Sequence, residues 1–101
     1  MNKKTVAIIQ ARMGSSRLPG KVMMDLVEGI KVIDLVVHRL KLAKCLDEIV
    51  VAIPNSQSDD LLYEYLLNKK YKVFRGPEND VLHRYYLAAK EYSADTIVRI
   101  T

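Results

Sequence analysis

A chain of 101 residues, half of them hydrophobic and 28% charged, has room for one small core; it is too apolar to stay disordered and holds no run near the ~20 apolar residues that span a bilayer. Its net charge of +4 is local: residues 1–24 carry +5 from Lys3, Lys4, Arg12, Arg17 and Lys21, and the remaining chain sits at −1. A long polyanion needs basic side chains spread over a face, so this distribution points to a small anion and away from nucleic acid.

In chain order, "TVAIIQ" (5–10) reads as a short β-branched strand buried on both faces. Residues 12–21 follow with Arg12, Gly14, Ser15, Ser16, Arg17, Pro19, Gly20 and Lys21 and no acid. "IKVIDLVVHRLKLAK" (30–44) places Ile33, Val36, Val37, Leu40 and Ala43 at helical spacing, the pattern of an amphipathic helix. "DEIVVAIP" (47–54) is a second buried strand ended by Pro54. A second helix is expected from Ser58 as N-cap, with Asp59 and Asp60 in its first turn and Leu61, Leu62, Tyr65 and Leu66 facing inward. "YKVFR" (71–75) reads as a third strand. A third helix over 80–92 is expected to turn Val81, Leu82, Tyr85, Ala88, Ala89 and Tyr92 inward, and "DTIVRI" (95–100) closes the series as a fourth strand.

Strands alternating with helices predict an α/β domain, a parallel sheet with right-handed crossovers and helices on both faces. Ligands of such sheets bind at the carboxyl ends of the strands, where the Gly/Ser/Arg segment lies. Small residues let backbone N–H groups approach an anion, Arg offers paired donors to phosphate oxygens and Lys a point charge. A triphosphate suits that chemistry. The segment is no P-loop, because five residues separate Gly14 from Gly20 and Val22 follows Lys21; a G-x-G-x-x-G fingerprint is absent.

Smaller features read more plainly. Cys45, alone in the chain, excludes an intrachain disulfide or a C-x-x-C metal site and is expected to be a buried thiol. His38 and His83 lack partners at ligand spacing, so no metal site is expected from the residues present. Asp59 and Asp60 read as acids favourable to a helix dipole, and Asp80 as a cap or a site residue in equal measure. Arg99, within the last strand, is expected to be a partner-paired structural residue. The N-terminal apolar stretch is too short for a signal peptide, and a cytoplasmic protein is expected.

"IIQARMGSSRLPGKVM" resembles the nucleotide-binding signature of cytidylyltransferases that make activated sugars, those of the bacterial spore coat polysaccharide type and, more distantly, the CMP-sugar synthetases for acidic sugars such as 3-deoxy-manno-octulosonate. "DEIVVAIP", Asp59-Asp60, "FRGPENDVLHRYYLAA" and "ADTIVRIT" extend the likeness from residue 5 to 101. The resemblance implies a nucleotide-diphospho-sugar transferase fold of Rossmann-like type, with residues 1–101 as the N-terminal nucleotide-binding part of a single domain. It implies CTP and a sugar as substrates, Gln10 and Ala11 near the base, and Gly14, Ser15, Ser16, Arg17 and Lys21 with Arg12 around the triphosphate. Arg12 and Lys21 would act catalytically on the leaving pyrophosphate, and Asp80 and Arg84 would face nucleotide or sugar. In the resembled family a magnesium-binding Asp follows the strand that matches "TIVRI", so its counterpart would lie beyond Thr101; a truncated chain with weak or no transfer activity, prone to self-association, is the expectation. A non-catalytic nucleotide-binding or self-associating module is the alternative, and a nucleic-acid-binding domain a weaker one.

Overall fold

The computed structural model describes residues 3–13, 25–27 and 30–100, the segment 25–27 by its backbone alone. β1 (Thr5–Gln10), β4 (Glu48–Pro54), β5 (Lys72–Gly76) and β6 (Thr96–Ile100) form one sheet in the order β5-β4-β1-β6. Every pairing in it is parallel, with Ile8 beside Val50 on one flank and Arg99 on the other. The chain thus builds outward from β1 to β5, then crosses back to lay β6 against the other side of β1. β2 (Asp25–Val27) and β3 (Ile30–Lys31) pair antiparallel as a separate small ribbon that no strand pattern had announced.

Alternation along β1 builds both layers. Ile9 and Ala11 pack with Val51 and Ile53 against Ile33 and Val37 of α1 (Val32–Lys41) and Leu62 and Leu66 of α2 (Asp60–Asn68). Val6 and Ile8 pack with Val50 and Ala52 against Tyr85, Ala88 and Ala89 of α3 (Val81–Glu91). Helices therefore cover both faces as expected, and β1 and β4, buried on both sides, carry the apolar runs that this requires. Among the described residues β6 has a strand neighbour on one side only, and it is mostly exposed.

Both later helices end in the same way. The Tyr71 N–H reaches the Leu66 carbonyl and the Lys70 N–H that of Leu67; the Ala94 N–H reaches Ala89 and the Ser93 N–H reaches Lys90. Lys70 and Ser93 take the left-handed conformation this cap needs, with φ of 62° and 53°, where glycine is usual.

Several inward-facing expectations are corrected. Leu61 is 69% exposed, as are Val81 and Leu82 in good part, because α2 and α3 begin at Asp60 and Val81 and their first turns overhang the sheet. Arg84 takes the buried place on α3 that the apolar pattern gave to Leu82. α1 ends at Lys41, which leaves Ala43 and Cys45 in an exposed connection and Cys45 a solvent-facing thiol. Ser58 sits in a short 3-10 turn (Gln57–Asp59), and Asp59 takes the N-cap position of α2. Arg99 lays its guanidinium over the Tyr85 ring at 4.8 Å and stays exposed.

A polar knot joins α1, α2 and the start of β5. Asp34 accepts hydrogen bonds from the Tyr65 and Tyr71 hydroxyls and from the Lys31 N–H (2.9 Å). Burial alone would raise the Asp34 pKa, but these bonds outweigh it and hold the carboxyl below 3.8. A folded pKa depressed below the unfolded one gives stability that is present at neutral pH and lost as pH falls through the folded value. We expect the urea midpoint to drop below about pH 4, and Asp34→Asn to flatten that acid limb; Glu48, lowered by Lys4 and Lys72, leaves a residual slope of the same sign. Equal acid limbs in the two proteins would count against the knot. Among the described residues no helix is long and apolar enough to cross a membrane.

Candidate functional site

The order of strands reverses between β1 and β6, and in open α/β sheets the crevice at such a reversal, beyond the carboxyl strand ends, is where ligands settle. Here the chain leaves β1 through Ala11, Arg12 and Met13. A cleft of about 270 Å³ opens beside it, lined by Arg12, Pro54, Ser58, Asp59, Glu78 and Asn79. Its walls are the loops after β1, β4 and β5.

Two buried charges organise this end of the sheet. Asp59, 2% exposed, accepts the Met13 N–H at 2.7 Å and so ties the chain leaving β1 to the loop after β4. Arg84, fully buried, reaches from α3 into the other wall. Its Nε–H donates to Gln10 Oε1 (3.0 Å), and Nη1 donates to the carbonyls of Pro77 (2.7 Å) and Glu78 (3.2 Å). Its Nη2, also buried, meets no acceptor among the described residues. Burial, and next the neighbouring Arg12 cation, lower the Arg84 pKa, while Asp59 opposes them; a guanidinium remains charged at neutral pH all the same. The site therefore gathers two arginine cations around one buried carboxylate, a balance that favours an anion.

Packing explains why Arg84 holds that course. A Cβ on Gly76 would stand 2.9 Å from Arg84 Cγ and 3.0 Å from the Phe74 ring, so only glycine at the end of β5 admits the arginine stem. Outside the cleft, Arg75 donates to Asp60 Oδ1 (2.9 Å) and to the Ser56 carbonyl (2.6 Å), which fixes the loop after β4. On the β6 side, the Tyr85 hydroxyl donates to the Ile100 carbonyl (3.0 Å) and sets α3 against the strand end.

Of the residues singled out in the sequence, Gln10, Ala11, Arg12 and Arg84 meet at the end of β1, with Gln10 and Arg84 in direct contact. Ala11 is buried and packs into the α1–α2 layer. Asp80 caps α3 by accepting the His83 N–H at 3.0 Å and is exposed. Gly14, Ser15, Ser16, Arg17 and Lys21 lie outside the described residues. Asp59 as a brace was missed; the only signal was an acid in the loop at the carboxyl end of β4. Among the described residues no three His, Cys, Asp or Glu gather to hold a metal ion, and Asp59 has one oxygen committed to Met13. The described residues alone do not form a magnesium site.

The family model described as Cytidylyltransferase matches residues 6–101. The chain belongs to the cytidylyltransferase family. Among curated relatives of this cytidylyltransferase chain, an uncharacterized protein of Methanocaldococcus jannaschii is 45% identical over 98 residues, covering 97% of this chain and 40% of the relative. The spore coat polysaccharide biosynthesis protein SpsF of Bacillus subtilis is 38% identical over 98 residues, covering 93% and 40%. A cytidylyltransferase structure from Leptospira borgpetersenii superposes with a TM-score of 0.89 at 39% identity, over 99% of this chain and 42% of that one. CMP:2-keto-3-deoxy-manno-octonic acid synthetase, solved in complex with CTP, superposes with a TM-score of 0.76 at 25% identity, over 97% and 39%. The chain spans about 40% of the length of the curated relatives it matches.

Proposed function

We propose that this chain is the N-terminal, CTP-binding part of a single cytidylyltransferase domain that makes a CMP-activated sugar for cell-surface polysaccharide. Family membership supports nucleotidyl transfer, the synthetase neighbour's complex with CTP supports the nucleotide, and SpsF supports the polysaccharide context. The observation that carries the reading is the cleft at the carboxyl end of the sheet, between the loops after β1, β4 and β5, with Arg12 and the buried Asp59 in its lining and the buried Arg84 bonded to the Glu78 carbonyl of its wall. On this reading the protein works in the cytoplasm, where CTP is available.

In the reaction proposed, a sugar hydroxyl oxygen bonds to the α-phosphorus of CTP and the bond from that phosphorus to the bridging oxygen of the β-phosphate breaks. The hydroxyl proton leaves to water or a base, and pyrophosphate departs with the bond's electron pair. Such transfers depend on positioning and on charge stabilisation at the leaving group. Arg12 would supply paired donors to phosphate oxygens; Ser15, Ser16, Arg17 and Lys21 complete the proposed cradle.

Titration calorimetry of the chain with CTP, UTP and ATP tests this. CTP should bind best, and Arg12→Ala should weaken it about tenfold, the worth of one charge-assisted hydrogen bond. Equal binding of all three nucleotides, or an unchanged CTP affinity in a folded Arg12→Ala protein, contradicts the proposal.

A further inference from the structure

Gln10 and Arg84 form a pair whose polarity is fixed by chemistry. Arginine carries five N–H donors and no acceptor, so the Gln10 atom 3.0 Å from Arg84 Nε must be the carbonyl oxygen. The usual ambiguity between the two ends of a glutamine amide is therefore removed. The Gln10 amide nitrogen, with its two donors, necessarily turns away from the guanidinium. Gln10 is partly exposed at the end of β1, and among the described residues no acceptor meets that nitrogen.

Arg84 is unusually committed to holding this arrangement. It is fully buried, its other donor group is anchored by two loop carbonyls at Pro77 and Glu78, and among the described residues its Nη2 meets no acceptor. A guanidinium placed only for its own satisfaction would not leave a buried NH2 group unpaired. Gly76 clears the space for its stem, so the register of Arg84 against Gln10 is set by packing.

We propose that Arg84 is a positioning residue that locks Gln10 with its amide N–H groups toward the ligand, and that Gln10 selects a pyrimidine presenting acceptors at ring positions 2 and 3. Cytosine has acceptors at both O2 and N3. Uracil carries a hydrogen at N3, which would face the Gln10 donor and repel it. This rests on the CTP site proposed above and deepens it, by giving base choice to a side chain in addition to the backbone around Ala11. A site built around a fixed donor discriminates strongly, because the wrong ligand leaves that donor unpaired.

The test compares CTP, UTP and inorganic tripolyphosphate on the wild-type chain and on Gln10→Glu, with folding checked by thermal melts. Gln10→Glu keeps an oxygen for Arg84 but offers the ligand an acceptor. The affinity ratio of CTP to UTP should fall about tenfold, while the melting temperature holds and tripolyphosphate binding changes less than about twofold. Arg84→Lys keeps the charge but cannot hold Gln10 and both carbonyls together, and should lower the same ratio without abolishing tripolyphosphate binding. A folded Gln10→Glu protein with the wild-type CTP to UTP ratio overturns the proposal while leaving the CTP site standing. A wild-type chain that binds neither CTP nor tripolyphosphate instead overturns the site itself.

Discussion

Arg84→Met is expected to destabilise the fold by about 3 kcal/mol, since hydrogen bonds to charged groups are worth ~1.5–3 kcal/mol each and partners left buried and unpaired cost more. Methionine retains most of the aliphatic stem that fills the space above Gly76, so the loss isolates the guanidinium. Three acceptors are orphaned at once: Gln10 Oε1 and the carbonyls of Pro77 and Glu78. Asp59 also loses one of the two arginine cations near it. Relief from burying a charge with an unpaired Nη2 opposes these losses and keeps the net below their sum. Urea denaturation measures the change. A shift below about 0.5 kcal/mol, the scale of an ordinary surface substitution, would show that Arg84 contributes nothing to the fold.

The second large effect is at Asp59. Asp59→Ala removes the acceptor of a buried N–H and should cost about 2 kcal/mol. Asp59→Asn, which keeps an oxygen for Met13 but drops the charge, should cost about half as much by the same reckoning. The informative readout is local. Hydrogen exchange at the Met13 amide should quicken sharply in Asp59→Ala and modestly in Asp59→Asn, since the bond to Asp59 Oδ1 at 2.7 Å is what protects it. Unchanged protection in the alanine protein would mean that the chain leaving β1 is held by something else.

Much of this fold was legible because the strongest signals are redundant. The centres of β1 and β4, Val6–Ile9 and Val50–Ile53, are buried on both faces, so each must be an unbroken apolar run and the strand cannot be missed. The alternation of strand and helix then leaves few topologies. What the sequence concealed is governed by distance along the chain. Arg84 reads as a polar interruption in an amphipathic helix, and only its approach to Gln10, 74 residues away, makes burial tolerable. Asp59 reads as a helix-start acid, and its partner Met13 lies 46 residues away. Leu61 and Leu82 satisfied the apolar spacing yet lie outside the contact area, because periodicity fixes a face but not where a helix begins to touch the sheet. Cys45 was misjudged for a related reason: the apolar pattern runs on past Lys41, but the helix does not.

The candidate site was legible in location more than in construction. The Gly/Ser/Arg segment after β1 marked the carboxyl end of the sheet, and that is where Arg12 stands beside the cleft. The walls of the cleft come from the loops at residues 55–59 and 77–80, whose composition gives no sign of what shapes them. They are shaped by Arg75, Arg84 and Asp59, whose roles exist only in three dimensions.

Mapping backbone amide shifts while CTP is added tests the central claim most directly. The account predicts that amides of Gln10, Ala11, Arg12 and Met13, together with residues 55–59 and 78–80, shift in a saturable way. Shifts centred instead on Leu82, Tyr86 and Ile97, or on Asp47 and Glu48 at the opposite end of the sheet, would contradict it.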